Sequence, residues 1–101
     1  MAISTGVEIG SLIYKRPDIH DGRPSISGTG ISVQNIAILH NQGAYPEEIA
    51  RRKYLTLAQV HAALAYYYAN KDEIDLSIVE DVAEYSKLEE EWRKTRADKH
   101  V

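Results

Sequence analysis

The sequence predicts a mainly α-helical protein with a three-helix, helix-turn-helix core, a short N-terminal β-ribbon and a C-terminal amphipathic helix. The central segment contains residues that typically start and end helices. The segment before it is rich in glycine and proline, and the acidic segment after it carries apolar residues at helical spacing. We assign residues 1–11 to an N-terminal extension, 12–33 to the ribbon, 34–70 to the core and 71–101 to the acidic helix and tail.

Local chemistry marks each helix boundary in the core. Gly43 is placed to end the first helix, because glycine adopts a left-handed backbone there without steric cost. Pro46 suits the first turn of the second helix, where its missing N–H costs no hydrogen bond. Thr56 and Gln59 have the spacing of a capping box, which predicts that the third helix starts at this point.

Apolar residues recur at helical spacing through the same three segments. The positions expected to face the core are Val33, Ile36, Ala37 and Leu39 in the first helix, Ile49 and Ala50 in the second, and Leu57, Val60, Leu64 and Tyr67 or Tyr68 in the third. Together they predict one small three-helix core with a homeodomain-like arrangement.

The segment before the core is too rich in glycine and proline for a helix. Short strands are expected at residues 12–14, 19–20, 25–27 and 31–33, with a turn at Asp21-Gly22. Gly28-Thr29-Gly30 is interpreted as a further turn, because it lacks the additional glycine and the lysine of a phosphate-binding loop. So small a ribbon needs packing against helices or a second subunit, which is a first indication of a homodimer.

The C-terminal segment is predicted to form a helix that starts at Asp75 as its N-cap. Five apolar side chains then fall within about a third of the helix circumference, at roughly 100° per residue. They are Ile78, Val82, Tyr85, Leu88 and Trp92, and we call them the α4 stripe, because this predicted helix from residue 75 is the fourth along the chain. The stripe either packs on its own domain or on an identical helix, or it docks another protein.

Composition excludes several classes of protein. The chain of 101 residues has the length of one domain, and its lack of cysteine excludes disulfides and thiolate metal sites. It shows neither a signal-peptide pattern nor an apolar run long enough for a membrane, so we expect a cytoplasmic protein without a cofactor. A net charge of −3 argues against general capture of nucleic acid, so any DNA binding must be local.

Titratable residues do not form a recognisable catalytic or metal site. The four histidines lack the paired spacing of a zinc site, so no metal is expected. Asp18, His20, Asp21 and Arg23 lie close together in the sequence and suit either acid–base chemistry or simple turn geometry. Without a convergent set of such groups, we expect no enzyme activity.

The third helix is the candidate recognition helix. Gln59 and His61 are its base-reading candidates, and Thr56 stands at its start. The basic triplet Arg51-Arg52-Lys53 just before it either contacts phosphates or simply complements the dipole of the second helix.

The central region resembles the domain of unknown function 433 family, small prokaryotic proteins of helix-turn-helix type. The resemblance covers about residues 12–75 and includes the glycine-rich segment 22–33, Gly43, the Pro46-Glu47-Glu48-Ile49 start of the second helix, and residues 54–60 with the Ala-Leu-Ala-Tyr-Tyr that follows. The family pattern usually has an arginine where this chain has Gly30, and a serine or similar cap where it has Tyr45.

The resemblance implies an antitoxin of the VapB type, which neutralises a PIN-like nuclease toxin and binds operator DNA. We expect the α4 stripe to lie against such a toxin, with Glu89, Glu90 and Glu91 facing its basic RNA-binding groove. The alternatives are a stand-alone dimeric helix-turn-helix regulator and an interaction module that does not bind DNA.

Overall fold

The computed structural model describes residues 6–18 and 22–98. A 3₁₀ turn, Ile9–Leu12, leads into strand β1, Ile13–Tyr14, and strand β2 follows at Ser25–Ile26. Four helices come next: α1 is Val33–Asn41, α2 is Pro46–Lys53, α3 is Leu57–Ala69 and α4 is Lys71–Asp98. The predicted mainly helical fold with a short N-terminal ribbon is therefore confirmed. The chain forms two compact units, one ending at Asn70 and one beginning at Lys71.

The ribbon is shorter than predicted. β1 and β2 pair antiparallel with Ile13 opposite Ile26, and they include only two residues each of the predicted segments 12–14 and 25–27. The predicted strand 31–33 is wrong apart from a single bridge between Ser32 and Ser25. Ser32 already caps α1 there, because its side chain accepts a hydrogen bond from the Asn35 backbone N–H.

Two other ribbon predictions have different outcomes. Residues 19–21, which contain the predicted strand 19–20 and the first residue of the Asp21-Gly22 turn, lie outside the described residues. The turn at Gly28-Thr29-Gly30 is confirmed. The Thr29 hydroxyl closes it by donating to the Ile26 carbonyl at 2.9 Å and accepting from the Ile31 N–H at 3.0 Å.

The predicted helix boundaries of the core are confirmed. Gly43 follows α1 with a φ of 97°, the left-handed region that glycine enters without a Cβ clash. Pro46 is at the start of α2, where Glu47 and Glu48 also lie, and the three basic residues 51–53 form its last turn. The capping box of Thr56 and Gln59 opens α3 with both of its hydrogen bonds present.

The core lies between α1, α2, α3 and the ribbon. Its buried side chains are Ile26, Val33, Ile36, Ala37, Ile49, Ala50, Val60, Ala62, Ala63, Leu64 and Tyr67. One predicted core position is wrong, since Leu57 is 45% exposed. Of the two tyrosines predicted as alternatives, Tyr67 is buried and Tyr68 is 56% exposed. Leu57 is the first residue of α3, and Tyr68 lies about 140° around the helix from the buried Ala63, at roughly 100° per residue. Leu39 is half-buried.

The predicted start of the C-terminal helix is also wrong. α4 begins at Lys71, so only Asn70 separates it from α3. Asp75 lies inside the helix, where its carboxylate binds the Lys71 ammonium at 2.7 Å with the i,i+4 spacing of a helical ion pair. Asp72 and Glu73 supply the negative charge of the first turn instead.

Candidate nucleic-acid and partner surfaces

The basic triplet lies where α2 ends and the turn to α3 begins. Arg51 and Arg52 are exposed, and Lys53 is half-buried. The Arg52 guanidinium is 3.7 Å from the Glu48 carboxylate, and both side chains are about half exposed to solvent. Such an exposed pair contributes little to stability, so the Arg52 guanidinium can exchange the Glu48 carboxylate for another anion. The triplet thus lies just before the third helix, with two of its three cations exposed, and its contact with phosphate stays a prediction.

The start of α3 is built by hydrogen bonds between Thr56 and Gln59. The Thr56 hydroxyl accepts from the Gln59 backbone N–H at 3.1 Å, and the Gln59 side-chain oxygen accepts from the Thr56 backbone N–H at 2.8 Å. The Gln59 oxygen accepts this one bond with one of its two lone pairs, so the side chain keeps its amide donors and one acceptor site, while the box holds it at the start of α3. The structure shows Gln59 as part of the helix cap, and its contact with a base stays a prediction.

The outward face of α3 is mostly apolar. Its exposed side chains are Leu57, Ala58, His61, Ala65, Tyr68 and Ala69, which lie within about 120° of one another at roughly 100° per residue. Direct readout in the major groove relies on Arg, Lys, Asn and Gln, and this face carries none of them. Of the predicted DNA-binding residues, only His61 lies on it. The polar groups suited to DNA are instead concentrated at the N-terminal end of α3.

An aromatic cluster that the sequence analysis missed joins the end of α1 to α3. The His40 ring nitrogen Nε2 is hydrogen-bonded to the Tyr68 hydroxyl, and the Asn41 amide donates to the Tyr67 hydroxyl at 3.2 Å. The His40 ring meets the Tyr68 ring edge-on, with centroids 5.6 Å apart. Tyr66 is half-buried, Tyr67 is buried and Tyr68 is exposed, so the three tyrosines point in different directions as predicted. This cluster thus holds the end of α1 against α3.

The described residues show no set of three or more His, Cys, Asp or Glu side chains placed to hold a metal ion. Of the predicted turn cluster, His20 and Asp21 lie outside the described residues. Asp18 accepts a hydrogen bond from Arg16 at 3.0 Å, in an exposed pair. Acid–base chemistry at this cluster therefore stays a hypothesis.

Four members of the α4 stripe are exposed. Val82, Tyr85, Leu88 and Trp92 expose 57–70% of their surface, and Ile78 is half-buried. Tyr85, Leu88 and Trp92 line a shallow groove along the helix, with Glu89 and Arg93 at its edge. The carboxylate and guanidinium of that edge pair are 3.1 Å apart. Large apolar side chains contiguous at the surface of a helix indicate a site of protein association.

Within residues 6–18 and 22–98, no helix combines the length and the apolar character that crossing a bilayer requires.

Comparisons with known proteins identify one family. The model of a family described as "Protein of unknown function (DUF433)" matches residues 13–67, which include the ribbon and most of the three-helix core. A crystal structure of a DUF433 member from Anabaena variabilis is similar, with 30% sequence identity and a TM-score of 0.62. The match covers 68% of this chain and 69% of that one. No curated protein matches the sequence. α4 lies outside the residues that the family model matches.

Proposed function

The chain belongs to the DUF433 family of proteins of unknown function, and we propose that it acts as an antitoxin-like regulatory protein. In this proposal α4 binds and neutralises a PIN-like nuclease, and the three-helix unit contacts operator DNA. The exposed α4 stripe is the observation that carries the proposal.

The chemistry of α4 suits a basic protein partner. Aromatic side chains contribute strongly to binding when a partner covers them, and the stripe contains Tyr85 and Trp92. Glu89 lies along the stripe and is exposed. Glu90 and Glu91 are also exposed but lie further around the helix, since successive residues are about 100° apart. Acidic residues bordering an apolar patch complement the positive groove of an RNA-cleaving enzyme and accelerate its association. α4 would thereby occupy the groove that RNA otherwise enters.

The end of α2 and the start of α3 support the DNA part of the proposal. Exposed Arg51 and Arg52 precede the N-terminus of α3, where the helix dipole and the first backbone N–H groups favour an anion. Thr56 is exposed beside them and offers its hydroxyl hydrogen. These groups suit phosphate contacts, which position a protein on DNA without reading its sequence.

Co-expression with the product of the adjacent gene tests capture of the nuclease. We expect that product to be a PIN-like nuclease that co-purifies with this chain and loses its RNA cleavage in the complex. Trp92→Ala should weaken the complex at least tenfold, about 1.4 kcal/mol, because it removes the largest anchor of the stripe. Isothermal titration with the purified pair measures the loss.

Val79→Ala is the matched control. Val79 is also a large apolar side chain of α4 with 64% exposure, but it lies outside the stripe. Its replacement should leave the affinity unchanged. Equal losses for both variants, or a nuclease that binds Trp92→Ala as tightly as the native chain, would contradict the assignment of the stripe to this partner.

A second candidate is an interaction module that does not bind DNA. The apolar outward face of α3 favours it, because Leu57, Ala65 and Tyr68 suit a protein surface better than a groove of DNA. The same face argues against a stand-alone regulator that reads a specific operator. Measuring DNA affinity separates these candidates.

A further inference from the structure

The α4 stripe is symmetrical along the helix. Its five members are separated by four, three, three and four residues, so the spacing reads the same in both directions from Tyr85. Steps of three and four residues are the spacing of a helix that packs along another helix. We propose that, without its nuclease, α4 pairs antiparallel with α4 of a second copy, with Tyr85 at the two-fold axis.

The antiparallel register matches side chains by size. With Tyr85 opposite Tyr85, Ile78 lies opposite Trp92 and Val82 lies opposite Leu88, twice each by symmetry. The largest side chain thus meets a smaller one at both ends of the pair, which is how facing layers interdigitate. A closed dimer of this kind uses the same surface on both copies, so it leaves no stripe uncovered to propagate into a filament.

The charges of α4 also favour the antiparallel orientation. Residues 71–84 contain six acidic residues and one lysine, whereas residues 86–98 contain four basic and four acidic residues. A parallel pair would place two strongly acidic halves side by side. An antiparallel pair instead brings Arg93 and Lys94 of one copy towards the acidic half of the other and also opposes the two helix dipoles.

One contact in this register is unfavourable and is partly compensated. Glu89 of one copy approaches Asp81 of the other, two like charges within the arc of the stripe, because Glu89 follows Val82 by seven residues and Asp81 precedes Leu88 by seven. The Arg93 guanidinium, 3.1 Å from the Glu89 carboxylate, reduces that repulsion.

This pairing goes beyond the proposed function, because it assigns the interface, the orientation and the register of a homodimer. It concerns the protein alone and holds whether or not a nuclease partner exists. If both are correct, the nuclease competes with the second copy for the same stripe.

Single cysteine variants of the full chain test the register, because the native chain contains no cysteine. A disulfide forms when two Cβ atoms come within about 4 Å of each other. Under mild oxidation, Tyr85→Cys should cross-link to itself, and a mixture of Val82→Cys and Leu88→Cys should give mainly the mixed dimer, identified by its intact mass. Leu76→Cys is the control, since Leu76 is equally exposed on α4 but lies outside the stripe.

Two outcomes would overturn the proposal. Self-linked Val82→Cys in excess over the mixed dimer would show a parallel pair. Cross-linking of Tyr85→Cys that does not exceed that of Leu76→Cys, together with a monomeric native chain in light scattering, would show that no second copy covers the stripe. In the supporting case the native chain is dimeric, Leu88→Glu is monomeric and Leu76→Glu stays dimeric, with unchanged helical circular dichroism.

Discussion

Among single residues, Tyr54 adopts a strained backbone conformation at the end of α2. It adopts a φ of 57° and is 96% exposed, so its ring gains almost no packing. The left-handed turn lets the backbone N–H groups of Tyr54 and Leu55 both reach the Ala50 carbonyl. Gly43 ends α1 with a φ in the same region, but without strain because glycine has no Cβ. The end of α1 could therefore be predicted from its glycine, whereas Tyr54 gives no such signal for the end of α2.

Replacing Tyr54 by glycine should stabilise the protein. Relief of the left-handed strain exceeds the added flexibility of glycine in the unfolded chain, so Tyr54→Gly should raise the free energy of unfolding by about 1 kcal/mol. Urea denaturation followed by circular dichroism measures it. Tyr54→Ala removes the same ring but keeps the Cβ, so its stability should stay within about 0.5 kcal/mol of the native value. Equal stabilisation by Tyr54→Gly and Tyr54→Ala would mean that the loss of the ring, and not the relief of backbone strain, raises the free energy of unfolding.

Among the helices, α3 packs in the core along one side and carries the capping box at its first turn. Its buried side, which includes Val60, Leu64 and Tyr67, packs in the core against α1 and α2. Its first turn carries the capping box and lies next to the basic end of α2. The Thr56 cap therefore both stabilises the helix and fixes the N-terminal backbone groups that the DNA proposal uses.

Loss of this cap should be measurable in stability. Thr56→Ala removes the side-chain acceptor for the Gln59 N–H and should lower the free energy of unfolding by about 1 kcal/mol. For a domain of this size that corresponds to a fall in Tm of roughly 4–8 °C in a thermal scan.

Gln59→Glu is the control for the cap, because a glutamate at this position still accepts from the Thr56 N–H and adds favourable negative charge near the helix start. Its Tm should equal or exceed that of the native chain. An unchanged Tm for Thr56→Ala would mean that the capping hydrogen bonds contribute nothing to folding.

Over the molecule as a whole, the net charge limits the DNA binding that we propose for the three-helix unit. The net charge of −3 repels DNA at long range, and the acidic residues of α4 contribute much of it. If the three-helix unit binds DNA as proposed, the affinity comes from a few local phosphate contacts and falls with salt in proportion to their number.

The double variant Arg51→Ala, Arg52→Ala tests the DNA contact. It should weaken binding to the protein's own promoter and to unrelated DNA alike. The slope of log affinity against log salt should become shallower by about 2, because each neutralised phosphate accounts for about 0.9 of that slope. Fluorescence anisotropy at several salt concentrations measures both effects.

Lys15→Ala, Lys87→Ala is the control for this variant, since it removes the same charge elsewhere in the chain. It should change the salt slope little. A native chain that binds no DNA even at low salt would favour the interaction module.

Most helix ends of the core could be predicted from the sequence. Gly43, Pro46 and the pair Thr56 and Gln59 act through hydrogen bonds and φ values within a few residues, so their effect can be read without knowing the fold. The family membership and the mainly helical class follow from the same local signals. The α4 stripe was also predictable, because helical periodicity alone places its side chains on one face.

Which apolar residues are buried emerged only from the tertiary structure. The packing exposed Leu57 and Tyr68 and buried the small Ala62 and Ala63, and it brought His40 to two tyrosines that lie 27 and 28 positions later. The structure also continued α4 back to Lys71, where a helical ion pair with Asp75 replaces the predicted cap. Burial depends on which neighbouring helix covers a face, a contact between residues distant in sequence, whereas helix ends depend on adjacent backbone groups.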